Sequence, residues 1–348
     1  MTLPIEPPFE PMEAQQIDAL PEGEAWAYEP KWDGFRCLAF RDGDQVYLQS
    51  RAMKPLARYF PEVAENLKAL GAQRFILDGE LVVPVEGELS FDALLQRIHP
   101  AASRVQKLAA GTPALFVAFD LLLGPRGGPL ADQPLRDRRA KLEAFAGQFL
   151  AAGAQVHLSP QVIDIAVART WLASGRGGLD GVVAKRLDAP YSPGARMAMA
   201  KVKRYRSADC VVGGFRWSKH GGVIGSLLLG LYDEAGDLHH VGFCSGMSQV
   251  ERKLATERVR PLMGGAGFTG RAPGGPSRWA TERSGEWEPL RPELVVEVSY
   301  DHFSEGRFRH GTKLLRWRPD KAPRQCTMTQ IETAGRSSLA MLRAYDED

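Results

Sequence analysis

Glu29-Pro-Lys31-Trp-Asp-Gly34-Phe-Arg36-Cys37-Leu-Ala-Phe-Arg41 is the stretch on which the reading of this chain turns. Cys37–Arg41 and Gln45–Gln49 are strand-like runs on either side of Asp42-Gly43-Asp44, a hairpin signal. Ahead of the hairpin, Asp33-Gly34 marks a tight bend, so the Lys31 amine stands just before a turn with Asp33 and Arg36 close in sequence. On an extended segment Glu29 would point to the same side as Lys31. A lysine amine, with a reference pKa of about 10.4, becomes a nucleophile only where neighbouring cations or a metal release its lone pair. Taken alone, Lys-x-Asp-Gly reads equally well as a solvated lysine before an ordinary turn.

The surrounding sequence predicts an α+β chain. Pro61–Leu70, Phe91–Ile98, Arg136–Leu150 and Val162–Ala173 have helical patterns, with a break at Gly175–Gly178. Phe75–Asp78, Leu81–Val83, Ala114–Leu123 and Gly181–Lys185 are apolar strand candidates, without the regular alternation of a doubly wound sheet. Residues 1–24, rich in Pro and Glu, read as an extended lead-in. Beyond Arg204–Asp209 come short strand-like runs, interrupted by one helix near Ser248–Met263 and by a Gly/Pro-rich segment, Gly264–Pro292, that reads as a surface loop. That pattern fits a small Greek-key barrel such as an OB-fold. The expected division is 1–206 and 207–348.

Composition narrows the class. A 44% hydrophobic and 25% charged chain is ordinary globular protein rather than a disordered one, and a net charge of +2 leaves any nucleic-acid surface to local clustering. Cys37, Cys210, Cys244 and Cys326 form no CxxC pair, which argues against a zinc site or a disulfide framework and fits a cytoplasmic, reducing setting. No signal peptide or membrane-spanning stretch is legible. His239-His240 lacks spaced companions for a metal, and Gly124-Pro-Arg-Gly-Gly-Pro lacks the Gly-Lys-Ser/Thr end of a phosphate loop.

Further motifs decide between the two readings of Lys31. In order they are Glu29, Lys31-Trp-Asp-Gly, Arg36, Arg51, Leu77-Asp78-Gly79-Glu80, Phe116-Val-Ala-Phe119-Asp120-Leu-Leu, Asp180-Gly-Val-Val-Ala-Lys185, Lys201-Val-Lys203 and Arg316-Trp-Arg318-Pro-Asp320-Lys321. This series resembles the covalent nucleotidyltransferases, and most closely the ATP-dependent DNA ligases of the small bacterial type and of bacterial end-joining enzymes. The resemblance implies an adenylation (nucleotidyltransferase) domain with mixed and antiparallel sheets followed by an OB-fold domain. It makes Lys31 the nucleophile that takes AMP from ATP, passes it to the 5′-phosphate of nicked duplex DNA, and lets the 3′-hydroxyl displace it. By the same resemblance Glu29 meets the adenine amino group, Arg36 and Arg51 meet phosphate or ribose oxygens, and Phe119 stacks on the base. Glu80 touches ribose or a divalent metal, and Asp180 is the second metal candidate, although that position is usually Glu. Lys185, Lys201 and Lys203 stabilise the α-phosphate, and Arg316 and Arg318 orient pyrophosphate. Magnesium is the expected ion, with manganese the alternative.

Lys201 and Lys203, two residues apart on a strand, share a face, and such converging cations would also depress the Lys31 pKa. Asp120 is expected to support local structure. Arg204, Arg206, Arg216, Lys219 and His220, with Tyr205, Phe215 and Trp217 between them, suit a nucleic-acid surface. NAD-dependent ligases are disfavoured, because they carry an N-terminal domain and a four-cysteine zinc finger that this sequence does not match. An RNA ligase, a capping-type enzyme using GTP, or a catalytically silent nucleic-acid-binding module are the alternatives. A monomer is expected, with repair proteins as unidentified partners and no membrane association.

Overall fold

The computed structural model describes residues 1–150, 155–173, 179–219, 221–274 and 286–331, together with Leu339 and Leu342. The expected helix break at Gly175–Gly178, His220 and the middle of the 264–292 segment lie outside the described residues. The chain divides into two compact units, Met1–Lys203 with Ala334–Asp348, and Arg204–Thr333. The break thus falls three residues before the expected one, and the C-terminal segment groups with the first unit. There Leu339 and Leu342 are buried with Trp32, Val82, Leu89, Leu115, Val117 and Leu179.

In the first unit β1 (Trp26–Trp32), β2 (Phe35–Asp42) and β3 (Gln45–Ser50) follow one another, the last two joined by the expected hairpin. Then come α1 (Pro61–Ala69), with proline at its start where no amide donor is needed, β4 (Arg74–Val82), α2 (Phe91–Gln96) and α3 (Ala102–Gly111). β5 (Leu115–Leu123), α4 (Leu135–Phe149), β6 (Val156–Leu158), α5 (Ile165–Ala173), β7 (Leu179–Arg186) and β8 (Met199–Lys203) complete it. One sheet runs β3-β2-β4-β5-β6, antiparallel but for β5–β6. The other runs Gln15–Gln16, β8, β7, β1. Helix α3 escapes the sequence reading because Val105 is its one buried side chain, too little for a visible stripe. Helix α5 starts later than expected, since Val162 instead bridges to Tyr28 of β1. The lead-in is more than a tether: Leu3 and Met12 are core, and Gln15–Gln16 pairs with β8.

Two motif glycines have steric reasons. A Cβ on Gly34 would lie 2.2 Å from Leu81 O, and one on Gly181, at φ +146°, 2.0 Å from Val202 O. Each lets one strand cross closely over its neighbour at the bend beside a functional side chain.

The second unit is an OB-fold. β9 (Arg206–Trp217), β10 (Ile224–Tyr232), β11 (Leu238–Cys244), β12 (Val295–Tyr300) and β13 (Lys313–Trp317) lie in the order β11-β10-β9-β12-β13. A parallel bridge between Cys244 and Thr312 joins the two ends of that order. α6 (Gln249–Val259), started by a Ser248/Glu251 capping box, enters between β11 and β12. Part of the expected 264–292 surface loop is core: Phe268 and Leu290 are buried and Trp287 packs on the same cluster. That cover explains why Phe215, expected on a nucleic-acid surface, is buried, with Glu288–Pro289 paired against its strand. All four cysteines are buried free thiols. Among the described residues no helix is long and apolar enough to cross a membrane.

Replacing Leu342 with Ala should cost the first unit roughly 2–5 kcal/mol, the usual range for a fully buried leucine. Chemical denaturation read by Trp fluorescence checks this, and an unchanged midpoint would mean that this side chain adds nothing to the core.

Candidate active site

A cavity of about 540 Å³ opens in the first unit, lined among others by Glu29, Lys31, Arg36, Arg51, Glu80, Phe119, Lys185 and Lys201. Its size suits a nucleotide. Strand geometry brings these residues together. β7 pairs antiparallel with β1 and β8, with Gly181 opposite both Lys31 and Lys203, and Val183 opposite Glu29 and Lys201. On the second sheet Arg36 of β2 stands opposite Glu80 of β4, and Phe119 is the one side chain of β5 that is not fully buried.

Before any ligand enters, the cations are neutralised internally. Lys31 Nζ is 2.5 Å from Asp180 Oδ2, and Lys203 Nζ is 3.6 Å from the same oxygen. Lys185 Nζ lies 2.7 Å from Glu29 Oε2, both groups being buried. The other Glu29 oxygen accepts from Gln161 Nε2 at 2.8 Å. Arg36 donates twice to Asp78, both bonds 2.5 Å, and Asp78 also accepts from Tyr191 Oη at 2.7 Å. Arg51 donates to Glu13 at 2.8 and 2.5 Å. Lys201 differs: among the described residues it has no carboxylate partner. Burial lowers its pKa, and the charges of Lys31, Arg51 and Lys203 lower it further.

The Phe119 ring is flanked by cations, with Arg36 Cζ 4.6 Å and Lys185 Nζ 4.5 Å from its centroid. Glu80 has no hydrogen bond or ion pair among the described residues. Burial raises its pKa to about 7, against the pull of Lys31 and Arg36. A divalent cation would supply the missing counter-charge, so Glu80 fits a metal role. Asp180 fits it less well as placed, because one oxygen is shared by two ammonium groups. No cluster of three or more His, Cys, Asp or Glu suited to a metal occurs among the described residues. Asp120 accepts two 2.9 Å bonds from Arg138 and braces the interior, as expected.

Arg316 and Arg318 lie in the second unit. Arg316 Nε donates to Glu297 at 2.6 Å, while Arg318 binds Asp209 at 2.9 Å and Asp320 at 2.8 Å. Asp320 is held down to about 2 by its bond from Arg318. Of the expected nucleic-acid surface, Tyr205, Trp217 and Lys219 are exposed and Arg216 is half-buried. Gln161, Glu13 and the apolar wall from Met12, Val183 and Met199 had no signal in the sequence. Their approach depends on chain crossings that no motif marks.

Glu80 gives a pH test. Its folded-state pKa of about 7 lies above the ordinary 4.5, so the native state holds the proton more tightly between those values. Its contribution to stability is therefore present below about pH 4.5 and is lost as pH rises towards 7. In metal-free protein, Glu80→Gln should remove this downward slope in denaturation midpoint against pH. An identical slope in the variant would rule out a raised Glu80 pKa.

Two families match the chain: "ATP dependent DNA ligase domain" over residues 11–203 and "ATP dependent DNA ligase C terminal region" over residues 220–321. DNA ligase C1 of Mycolicibacterium smegmatis is 47% identical, covering 96% of each chain. DNA ligase C of Mycobacterium tuberculosis is 44% identical over 95% of this chain and 96% of its own. A solved structure from a structure–function study of Lig E DNA ligases shares the fold at 17% identity and a TM-score of 0.52, covering 89% of this chain and 99% of the other.

Proposed function

The chain belongs to the ATP-dependent DNA ligases, and on that premise we propose that Lys31 is the residue that carries AMP between ATP and a DNA nick. The observation that supports this most directly is that Lys31, paired with Asp180 at 2.5 Å, lines a nucleotide-sized cavity with Lys185 and Lys201. The enzyme seals nicks with ATP through a covalent adenylate. The geometry supports a role for each of the residues around the cavity.

Phe119 and the apolar wall of Val183 and Met199 take the base, and Glu29 accepts from its amino group once Lys185 is drawn to phosphate. Lys201, without a carboxylate partner among the described residues, is the first cation that the triphosphate meets. Phosphate oxygens then displace carboxylates from Lys31, Lys185 and Lys203, an exchange of one charged partner for another that avoids stranding a buried charge. Arg36 and Arg51 offer planar forks to ribose and phosphate oxygens.

In the first step the Lys31 ammonium gives up its proton, for which Asp180 is the nearest acceptor. The amine forms a bond to the α-phosphorus, and the bond to the bridging oxygen breaks as pyrophosphate leaves. Fixed cations around the α-phosphate favour the charge that builds there. Magnesium, held at Glu80, would neutralise phosphate charge when bound. Arg316 and Arg318 are assigned to the leaving pyrophosphate. The AMP then moves to the 5′-phosphate, and the 3′-hydroxyl displaces it as the phosphodiester forms.

Because Lys31 is needed only to load AMP, Lys31→Ala should fail to seal a nick supplied with ATP yet still seal a nick whose 5′-phosphate already bears AMP. Gel analysis of both substrates checks this. Sealing of the ATP-supplied nick by the variant would refute the assignment. A 5′-labelled RNA nick and GTP in parallel distinguish the RNA-joining and capping alternatives.

A further inference from the structure

At residues 159–162 the chain crosses from one sheet of the cavity to the other. Ser159, just after β6, donates its N–H to Ala118 O of β5 at 2.8 Å, one position before Phe119. Val162 exchanges both backbone bonds with Tyr28 of β1, at 2.7 and 2.9 Å, one position before Glu29. The start of the crossing is braced by side chains. Trp32 Nε1 donates to Ser159 Oγ at 3.0 Å, and Arg139 Nη1 donates to Ser159 O at 2.9 Å. The crossing therefore ties together the backbone beside Phe119, assigned to the face of the base, and beside Glu29, assigned to its edge.

Because the Tyr28–Val162 bridge is antiparallel and hydrogen-bonded, Gln161 stands opposite Glu29 in the neighbouring pair, where side chains come closest. Gln161 Nε2 donates to Glu29 Oε1 at 2.8 Å. A carboxylate only accepts, so the amide turns its nitrogen towards Glu29. Glu29 lines the cavity and Gln161 stands behind it.

The two oxygens of Glu29 thus have different fates. Oε2 is paired with Lys185, the cation that phosphate draws away, and so becomes open to the ligand. Oε1 stays with Gln161, on a segment tied into both sheets. Without that bond the carboxylate would be free to follow Lys185 or to turn both oxygens into the cavity.

Which base fits depends on this difference. Adenine offers a single amino group at that edge, and one acceptor satisfies it. Guanine has an oxygen in the same place, which a carboxylate repels. It also carries two adjacent donors, the ring N–H and its own amino group, that together match both oxygens of a carboxylate. A Glu29 with one oxygen already occupied cannot offer that pair.

We propose that Gln161 is the positioning residue that makes the site choose adenine, by holding Glu29 Oε1 so that only one acceptor faces the base. This rests on the reading of Glu29 as the adenine contact, and names what fixes its selectivity.

The test is adenylation of the full chain, first stripped of AMP with pyrophosphate, at graded concentrations of ATP, GTP or purine riboside triphosphate, which lacks the amino group. Wild type is compared with Gln161→Met, similar in shape but without a donor. The variant should need about tenfold more ATP to reach half its maximal rate, the worth of one hydrogen bond to a charged group, while the rate at saturation holds. Its requirement for purine riboside triphosphate should stay as it is in wild type, because Glu29 has nothing there to receive. Its preference for ATP over GTP should shrink. Gln161→Glu keeps the length and, as a carboxylate, cannot donate, so it should reproduce the pattern and decide the matter should Gln161→Met not fold. Variants that keep the wild-type preference for ATP over both analogues would overturn the proposal. Equal weakening towards ATP and purine riboside triphosphate, the mark of a merely structural role, would overturn it too. Wild type that uses those two alike would instead remove the Glu29 assignment, and this one with it.

Discussion

Asp180 Oδ2, 2.5 Å from Lys31 and 3.6 Å from Lys203, is the contact around which the first unit is organised. It requires β1, β7 and β8 to lie side by side in one register, and the register holds because Gly181 lets β7 press against Val202 where any side chain would collide. The same ladder sets Lys185 against Glu29 and leaves Lys201 on the cavity wall. The second sheet contributes Arg36, Glu80 and Phe119 by an equivalent pairing of β2, β4 and β5. Among the described residues every cation of the site but Lys201 rests on a carboxylate, with Lys31 and Lys203 sharing Asp180. Such pairs come close to breaking even in free energy, so phosphate can replace a carboxylate at little cost while the folded chain never strands a charge.

Much of this was legible from the residues. Period-two spacing placed Glu29 with Lys31 and Lys201 with Lys203, and the order of motifs gave both the family and the two-unit plan. What escaped depended on encounters between distant segments. That Glu29 would meet Lys185 and Gln161 follows from inter-strand register and from the Tyr28–Val162 bridge, neither of which a local pattern encodes. Arg36, expected to face a ligand, is clamped by Asp78, whose own place depends on Tyr191 more than a hundred positions away. Phe215 was misplaced because strand alternation fails where a second layer, here Phe268, Trp287 and Leu290, covers the outer face of the barrel.

In the first unit carboxylates accompany the lysines and arginines of the cavity, Lys201 aside, which makes a site that waits in a largely neutralised state. Such a site suits a ligand that must be taken up, processed and released.

The central claim is that AMP becomes bonded to Lys31. Its most direct test is the intact mass of protein first stripped of AMP with pyrophosphate and then incubated with ATP and Mg²⁺, followed by peptide mapping. The account predicts a gain of one AMP, carried on the peptide containing Lys31 and absent from Lys31→Ala. A gain mapped to another residue, or no gain on the stripped wild type, would contradict it.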